Sequence, residues 1–309
     1  MAKRATRESY GTALQEIGKD ERVVVLDADL SKSTKTEMFK KLYPERFINV
    51  GIAEANMMSV AAGLASCGKI VFASSFAMFA AGRAFEQIRN SIGYTGLNVK
   101  IGASHAGISV GEDGGSHQCI EDIALMRAIP DMVIINPADD IEAQQATKAA
   151  AEYQGPVYLR LGRLAVEDVN PEGYKFELGK AVELREGKDV TLIATGLMTQ
   201  KAINAAEILN EKGISARVIN IHTIKPIDKE AIIKAAKETG AIVTAEEHSV
   251  FGGLGSAVAE VVCEHAPCPV KIIGIDKFGI SGKPAELFEL YGLTAENIVK
   301  NAEEAVKLK

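Results

Sequence analysis

The sequence predicts an α/β protein built from two doubly wound domains, the second smaller than the first. Short apolar runs rich in β-branched residues alternate with longer helical stretches, a charged segment containing glycine and proline interrupts them near residue 170, and the alternation then restarts. This pattern indicates β–α units and parallel sheets covered by helices on both faces. With 309 residues, the chain has the length of two domains of about 150 residues each.

The first domain is predicted over residues 1–165. An amphipathic pattern over residues 1–21 predicts an N-terminal helix. Strands are predicted at 22–28, 69–74, 97–103, 131–137 and 156–162. A helix beginning near Gly51 is apolar on every side, so we expect it to be buried all round.

Residues 166–186 are charged and contain Pro171 and Gly173, which predicts a linker leading into a short hairpin. The second domain is predicted over 187–309, with strands at 189–195, 215–221, 240–247 and 269–275. The segment "FGGLGS" (251–256) follows the third of these strands. We favour tight strand-to-helix packing for its glycines, with an anion at the helix N-terminus as the alternative.

The composition points to small-molecule chemistry. A net charge of −6 argues against nucleic acid or an anionic membrane as the main partner. No signal peptide or membrane-spanning run is evident, so we expect a cytoplasmic protein. The four cysteines lack CxxC spacing and are expected to be reduced and mostly buried. A Rossmann fingerprint, a P-loop and a histidine metal-ligand motif are all missing.

Glu54 is the one charged residue between Arg46 and Lys69. Burying a carboxylate is costly unless the group is paired, hydrogen-bonded or protonated, and a helix dipole offsets only about 0.3–1 kcal/mol. A buried carboxylate suits a strong hydrogen bond to a ring nitrogen whose protonation changes during catalysis. Glu54 is therefore a candidate catalytic residue, and an ordinary first-turn helix acid is the alternative.

Two further segments carry candidate functional residues. "SSFAMFAAGRAFEQIR" (74–89) presents phenylalanines near helical spacing, which suits either a core or a cofactor contact. "SHAGISVGEDGGSHQ" (104–118) is a glycine-rich loop with His105, Glu112, Asp113 and His117. A long loop of this kind between a strand and a helix is commonly functional, and its residues suit acid–base work or recognition of sugar hydroxyls.

Four segments in order, "VGIAEANM", "SSFAMF", "SHAGISVGEDGGSHQ" and "GPVYLRLGR", resemble the pyrimidine-binding and C-terminal domains of transketolase. The resemblance covers essentially the whole chain. The GDG-type motif with which the family's N-terminal domain binds thiamine diphosphate through Mg²⁺ is missing. The resemblance therefore implies the C-terminal subunit of a split transketolase, which transfers a two-carbon ketol unit from a ketose phosphate to an aldose phosphate together with an N-terminal subunit.

The resemblance also implies roles at the cofactor. Glu54 would hydrogen-bond the aminopyrimidine ring of thiamine diphosphate and promote deprotonation of the thiazolium carbon. Phe76 and Phe79 would cradle that ring, and a third aromatic of the family pattern is replaced by Gly82. Asp29 and Leu30 would make further cofactor contacts. The Mg²⁺ ligands are expected on the partner subunit, so no metal site is expected on this chain.

At the substrate, the resemblance implies that His117 and Asp113 meet the hydroxyls and carbonyl of the donor sugar, with His117 as a catalytic proton shuttle. The sugar phosphate would be bound by His105, Arg163, Arg7 and Ser33. For Arg7, a solvated helix charge is the alternative. We expect a heterotetramer in which two copies of this chain meet through the helix after Gly51.

Related enzymes remain alternatives at this point. 1-Deoxyxylulose 5-phosphate synthases usually carry arginine where Phe79 stands and lack the acid at Glu112. Beta subunits of 2-oxo acid dehydrogenases have a similar chain length and a segment similar to "EEHSVFGGLGS", but they usually lack "GEDGGSHQ". A non-catalytic partner subunit would keep the fold without turnover. The identities of the donor and acceptor sugars stay open. So does the choice between the pentose phosphate pathway and a specialised route of carbohydrate metabolism.

Overall fold

The structure, a computed structural model, describes residues 3–309. Its first half contains the strands β1 (Arg4–Ala5), β2 (Val23–Asp27), β3 (Phe47–Asn49), β4 (Ile70–Phe76), β5 (Val99–Ser104), β6 (Val133–Ile135), β7 (Val157–Arg160) and β8 (Ala165–Val166). Its α-helices are α1 (Thr6–Ile17), α2 (Ser31–Thr34), α3 (Glu37–Leu42), α4 (Glu54–Ser66), α5 (Phe85–Gln87), α6 (Asp122–Arg127) and α7 (Asp140–Glu152). Pro44–Arg46 and Ile108–Asp113 are 3₁₀ segments, and Met78–Arg83 and Ile88–Gly93 are π-helices.

The second half repeats the alternation of strands and helices. Its strands are β9 (Val182–Arg185), β10 (Val190–Ala194), β11 (Ala216–Asn220), β12 (Thr223–Lys225), β13 (Ile242–Ser249) and β14 (Val270–Ile275). Its helices are α8 (Met198–Glu211), α9 (Lys229–Thr239), α10 (Leu254–His265), α11 (Pro284–Leu290) and α12 (Ala295–Val306). Every strand predicted from the sequence is present.

Two mostly parallel sheets confirm the predicted fold class. The first has seven strands in the order β12-β6-β7-β5-β4-β2-β3, and only the edge strand β12 is antiparallel. The second has five strands in the order β14-β13-β10-β11-β9, with β9 antiparallel at its edge. Since β12 lies in the second half of the chain but completes the first sheet, the two halves are joined by backbone pairing. The boundaries at residues 165 and 187 stay predictions.

Both sheets are buried on two faces, as parallel sheets require. One face of the first sheet packs against α1 and α7, with Tyr10, Phe72 and Leu159 at its centre. The other face packs against α4, the first π-helix and α6, and includes Met57, Met58 and a series of alanines. Small side chains let these helices approach the strands closely, and this second face carries the candidate site.

The structure corrects three expectations. The predicted hairpin within 166–186 is wrong, because Val182–Arg185 pairs with Ala216–Asn220 rather than with a neighbouring strand. The helix after Gly51 is not buried all round in this chain, since Asn56, Ser59 and Gly63 are exposed. The free cysteines are not mostly buried either. Cys67 and Cys263 are exposed, Cys268 is partly buried, and Cys119 is buried.

The segment "FGGLGS" (251–256) after β13 packs tightly between strand and helix, as predicted. Glu246 accepts hydrogen bonds from the backbone N–H groups of Leu254 and Gly255 at 2.7 and 2.8 Å. A Cβ on Gly253 would lie 2.1 Å from Oε2 of Glu246. The anion at the N-terminus of α10 is thus a carboxylate of the chain itself. No helix within residues 3–309 combines the length and apolar character needed to cross a membrane.

Candidate functional site

The candidate site lies at the carboxyl ends of β4 and β5, which are adjacent parallel strands. Phe76 is the last residue of β4, and His105 follows the last residue of β5. Strand ends of an open parallel sheet form a natural crevice for ligands. The start of α4, the first π-helix and the loop after β5 converge on this edge.

Glu54 opens α4 and is buried, with 1% of its surface exposed. Its Oε2 accepts a hydrogen bond from Nη1 of Arg83 at 2.9 Å, and its Oε1 accepts one from Oγ of Ser75 at 3.2 Å. The predicted burial of the carboxylate is therefore found. Its partner is an arginine of the same chain, so burial alone does not demand a counterpart from outside.

Arg83 ends the first π-helix, and its side chain is half exposed. Its guanidinium carbon lies 4.6 Å from the centroid of the Phe79 ring. The group therefore combines a cation–π contact with a charge-assisted hydrogen bond to Glu54. Beside it, a Cβ on Gly82 would lie 2.3 Å from Cε of Met78, so the flexible end of Met78 fills the space at this position.

Four rings form one cluster next to Glu54. The rings of Phe76 and Phe79 are stacked with centroids 5.9 Å apart. His105 stacks on Phe76 at 3.9 Å, and His117 meets the ring of Phe79 edge-on at 5.2 Å. The structure thus brings together the two predicted cofactor-binding aromatics and both histidines of the glycine-rich loop.

His105 is held as a neutral imidazole. Nη1 of Arg7 lies 3.2 Å from its Nε2, and Oγ of Ser104 lies 2.9 Å from its Nδ1. Because an arginine only donates, Nε2 accepts and Nδ1 carries the proton. Burial, followed by the charges of Arg7 and Arg163, lowers the pKa of His105 to about 3. The ring therefore stays uncharged over the physiological range.

Three cationic side chains lower the pKa of His105 through their charge, and these are Arg7, Arg163 and Lys35. Arg7 donates to the backbone oxygen of Ser33 at 2.9 Å, while burial lowers its pKa. Its Nε is buried and lacks a hydrogen-bond partner within residues 3–309. The Arg7 side chain is therefore bonded within the protein, which argues against the alternative interpretation as a solvated helix charge.

Arg163 faces the acidic end of the loop. Its Nη1 lies 3.7 Å from a carboxylate oxygen of Asp113 and 3.9 Å from one of Glu112, and it donates to the backbone oxygen of Val110. Both acids are exposed. The predicted phosphate and sugar-binding residues Arg163 and Asp113 therefore share one ion-pair cluster.

Asp29 and Leu30 lie in the turn after β2. The Asp29 carboxylate accepts a hydrogen bond from Nδ2 of Asn49 at 2.8 Å, and the Leu30 N–H donates to Oδ1 of Asp27 at 2.6 Å. Within the described residues, neither side chain shares a hydrogen bond, ion pair or ring contact with Glu54 or the ring cluster. Their cofactor contacts stay predictions.

Four further residues of this site are not among those predicted from the sequence. Ser75 and Ser104 lie at the carboxyl ends of β4 and β5, a position that could have signalled them. Arg83 stands inside the quoted phenylalanine motif, and Lys35 adopts a left-handed backbone conformation with a φ of 68°. Residues 3–309 contain no group of three or more histidine, cysteine, aspartate or glutamate side chains that could hold a metal ion.

Comparison with known proteins places this site in a family. The family model "Transketolase, pyrimidine binding domain" matches residues 2–168, and "Transketolase, C-terminal domain" matches residues 179–298. The chain belongs to the transketolase family. The site just described lies in the part matched by the pyrimidine-binding domain.

Relatives in the transketolase family match this chain along most of its length. It is 55% identical over 306 residues to the "Putative transketolase C-terminal section" of Methanocaldococcus jannaschii, covering 97% of this chain and 96% of that protein. It is 46% identical to the "6-deoxy-6-sulfo-D-fructose transketolase subunit" of a Clostridium species, with 98% and 95% covered.

A solved structure gives the same assignment. The structure described as "Split gene transketolase, inactive beta4 tetramer" superposes with a TM-score of 0.92 at 55% identity and covers 100% of both chains. The resemblance to the C-terminal subunit of a split transketolase is therefore confirmed. The chain is a transketolase-family C-terminal subunit.

Proposed function

We propose that this chain supplies the pyrimidine-binding and sugar-binding side of a thiamine diphosphate-dependent transketolase. The complex would transfer a two-carbon ketol unit from a ketose phosphate to an aldose phosphate once the N-terminal subunit completes the site. The arrangement that supports the proposal most is the buried Glu54 carboxylate beside the ring cluster of Phe76, Phe79, His105 and His117.

The residues at Glu54 fit the cofactor. The Arg83 guanidinium is a flat, nitrogen-bearing group that lies over Phe79 and donates to Glu54. The site therefore accepts a planar group with N–H donors, which is the chemistry of an aminopyrimidine. Glu54, Phe76 and Phe79 would hold that ring, with Asp29 and Leu30 as further contacts. Thiamine diphosphate would supply the thiazolium carbon that carries the two-carbon unit.

Glu54 would hold or release a proton at the ring nitrogen, where its burial strengthens the hydrogen bond. The phenylalanine faces would exclude water and set the orientation of the ring. The Arg83 guanidinium lies over the Phe79 ring and bonds to Glu54, so it would compete with the cofactor for that ring face and that carboxylate. We therefore propose that Arg83 leaves Glu54 when the cofactor binds.

At the sugar, His117 would move a proton at a substrate hydroxyl and Asp113 would accept hydrogen bonds from hydroxyl groups. Arg7 and Arg163 would bind the phosphate, because the planar fork of a guanidinium pairs with phosphate oxygens in a bidentate way. Ser33, His105 and Lys35 lie beside this cationic group. A sulfonate, as in the sugar named for the Clostridium relative, is an anion of similar geometry.

We propose that the Mg²⁺ ligands lie on the N-terminal subunit and that two copies of each subunit form a heterotetramer. The exposed face of α4, with Asn56, Ser59 and Gly63, adjoins Ile52, which is 78% exposed. An apolar side chain so exposed beside small residues suits a contact between copies of this chain. The tetramer of beta chains in the similar structure supports association between copies.

The test uses the purified chain with its N-terminal companion, thiamine diphosphate and Mg²⁺. We expect transfer of a ketol unit from xylulose 5-phosphate to ribose 5-phosphate, and fructose 6-phosphate and 6-deoxy-6-sulfo-D-fructose would be compared as donors. Condensation of pyruvate with glyceraldehyde 3-phosphate would instead favour a deoxyxylulose phosphate synthase, and decarboxylation of a 2-oxo acid would favour a dehydrogenase subunit. An assembled, cofactor-loaded complex without any of these activities would favour a non-catalytic subunit.

A further inference from the structure

The loop that carries Asp113 and His117 is held by residues of the second domain. We call residues 106–118 the substrate loop. Glu247, on β13 of the second domain, is 4% exposed, and its Oε1 accepts the backbone N–H of Ser109 at 2.5 Å. A Cβ on Gly107 would lie 2.3 Å from the Glu247 carboxyl carbon, so the loop backbone packs directly on this carboxylate.

Glu247 is itself fixed from the first domain. Arg160, at the end of β7, donates through Nη2 to the backbone oxygen of Glu247 and through Nε to Asp122, both at 2.9 Å. Arg160 and Asp122 are 3% and 0% exposed. Either partner of a buried charge pair would be strongly unfavourable alone, so the pair with Asp122 holds Arg160 in place. Arg160 therefore fixes the backbone of Glu247, whose side chain accepts the hydrogen bond from Ser109 at the start of the loop.

A second anchor holds the other end of the substrate loop. The Gln118 amide, buried next to His117, donates to the backbone oxygens of Gly111 at 3.0 Å and of Ile280, in the second domain, at 2.9 Å. Ser281 donates through Oγ to the backbone oxygen of Glu112 at 2.6 Å. Asp113 and His117 thus lie between two hydrogen bonds from the loop to the second domain, one at Ser109 and one at Gln118.

The loop needs such anchors. Gly111 and Gly114 have φ values of 82° and 76°, which glycine adopts at little steric cost but with a large loss of conformational entropy on ordering. A displacement of about 1 Å in a catalytic group can cost about a hundredfold in rate. External hydrogen bonds that order the loop before substrate arrives avoid that loss.

We propose that Glu247 and Gln118 are positioning residues, through which the second domain sets the place of His117 and Asp113 for ketol transfer. The inference rests on the proposed function. It gives the second domain a direct part in the reaction, although none of its residues belongs to the ring cluster or to the cationic group. Neither Glu247 nor Gln118 needs to touch the substrate for this role.

Glutamine is the conservative replacement for Glu247. Burial raises the pKa of Glu247 to about 7, against the opposing influence of Arg160 and the hydrogen bond from Ser109, with Asp122 raising it further. An amide oxygen at this position can still accept from Ser109 without a buried charge. Alanine removes the acceptor and enlarges an adjoining cavity of about 20 Å³, which Glu247 and Arg160 help to line. The two variants therefore separate the hydrogen bond from the charge.

The experiment compares Glu247→Ala, Glu247→Gln and Gln118→Ala in the complex with the N-terminal subunit. Glu246→Ala is the matched control, since Glu246 is buried on the same strand but caps α10 instead of the loop. We expect kcat/KM for ketol transfer to fall about a hundredfold in Glu247→Ala and Gln118→Ala, and less than fivefold in Glu247→Gln. Thiamine diphosphate affinity, measured by calorimetry, is expected to stay within about twofold of wild type.

Hydrogen exchange of residues 106–118 provides a readout that does not depend on turnover. Exchange there is expected to accelerate in Glu247→Ala but not in Glu246→Ala. Equal exchange and equal kinetics in these two variants would overturn the proposal. If Glu247→Ala does not fold, Gln118→Ala and Ser281→Ala still test the proposal. Wild-type rates of hydrogen exchange in both of these variants would also refute it. A wild-type complex that lacks ketol transfer would refute the proposed function but leave the exchange result interpretable.

Discussion

Replacing Arg83 by methionine is expected to tighten the binding of thiamine diphosphate. Arg83 is joined to Glu54 by a 2.9 Å hydrogen bond and lies 4.6 Å from the centroid of the Phe79 ring. Both contacts must be released before another planar group can use the same carboxylate and the same ring face. Methionine keeps an unbranched side chain but has neither the charge nor the donors, so the competing contacts are removed.

The size of the effect follows from those two contacts. A hydrogen bond to a charged group contributes about 1.5–3 kcal/mol when buried, and we discount it to about 1–2 kcal/mol because half of the Arg83 side chain is exposed. An exposed cation–π contact adds about 0.5–1 kcal/mol. A total of about 1.5–3 kcal/mol corresponds to about a 10- to 100-fold decrease in the dissociation constant.

The assay is calorimetric titration of thiamine diphosphate with Mg²⁺ into the complex of both subunits. Arg89→Met is the matched control, because Arg89 is an exposed arginine of the following π-helix whose side chain bonds to Asn90. We expect its dissociation constant to equal that of the wild type. Unchanged or weaker cofactor binding in Arg83→Met would refute the competition, and would show that Arg83 supports the bound cofactor instead.

Three further predictions follow from the site and its surroundings. Glu54→Gln should leave the melting temperature nearly unchanged while ketol transfer falls by about 100- to 10,000-fold, and wild-type rates would remove Glu54 from the mechanism. Arg163→Met should raise KM for phosphorylated donors by at least about tenfold and hardly change it for unphosphorylated hydroxypyruvate, whereas equal increases would argue against phosphate binding. Burial raises the pKa of Glu142 from 4.5 to about 7, so the folded state retains a proton that the unfolded state has lost. Its contribution to the free energy of unfolding should therefore fall as pH rises from 4.5 to 7, and thermal denaturation of Glu142→Gln should show a flatter pH dependence than wild type.

The strands could be predicted because buried parallel strands are continuous apolar runs. Val23–Asp27 and Ile70–Phe76 are buried at every position, and both coincide with strands predicted from the sequence. The strands that were missed are short or lie at a sheet edge. Phe47–Asn49 has no fully buried residue, and for Val182–Arg185, at the edge of the second sheet, the predicted hairpin gave the wrong partner. A short strand offers too few positions for a distinctive hydrophobic pattern, whereas the longer edge strand Val270–Ile275 could be predicted from its apolar run.

The site could be predicted in part, through residues that share a motif. Phe76 and Phe79 lie in one quoted segment and His105 and His117 in another, and the structure brings the two segments into ring contact. The bond between Glu54 and Arg83 could not be predicted, because it joins α4 to a π-helix whose widened turn has no clear signature in sequence. Helical periodicity alone does not indicate where the Arg83 guanidinium lies.

The proposed contribution of the second domain could not be predicted from the sequence for a related reason. Its contacts with the substrate loop use a carboxylate on β13 and backbone oxygens of Ile280 and Glu112, and backbone oxygens are the same in every residue type. A domain without catalytic side chains can still determine a reaction, provided that the loop beside it cannot order itself. Gly111 and Gly114 create that condition, since their freedom lets the loop turn sharply but leaves its position to be set from outside. Of the proposed anchors, Glu247, Ile280 and Ser281 lie in the second half of the chain, whereas Gln118 belongs to the loop that carries His117.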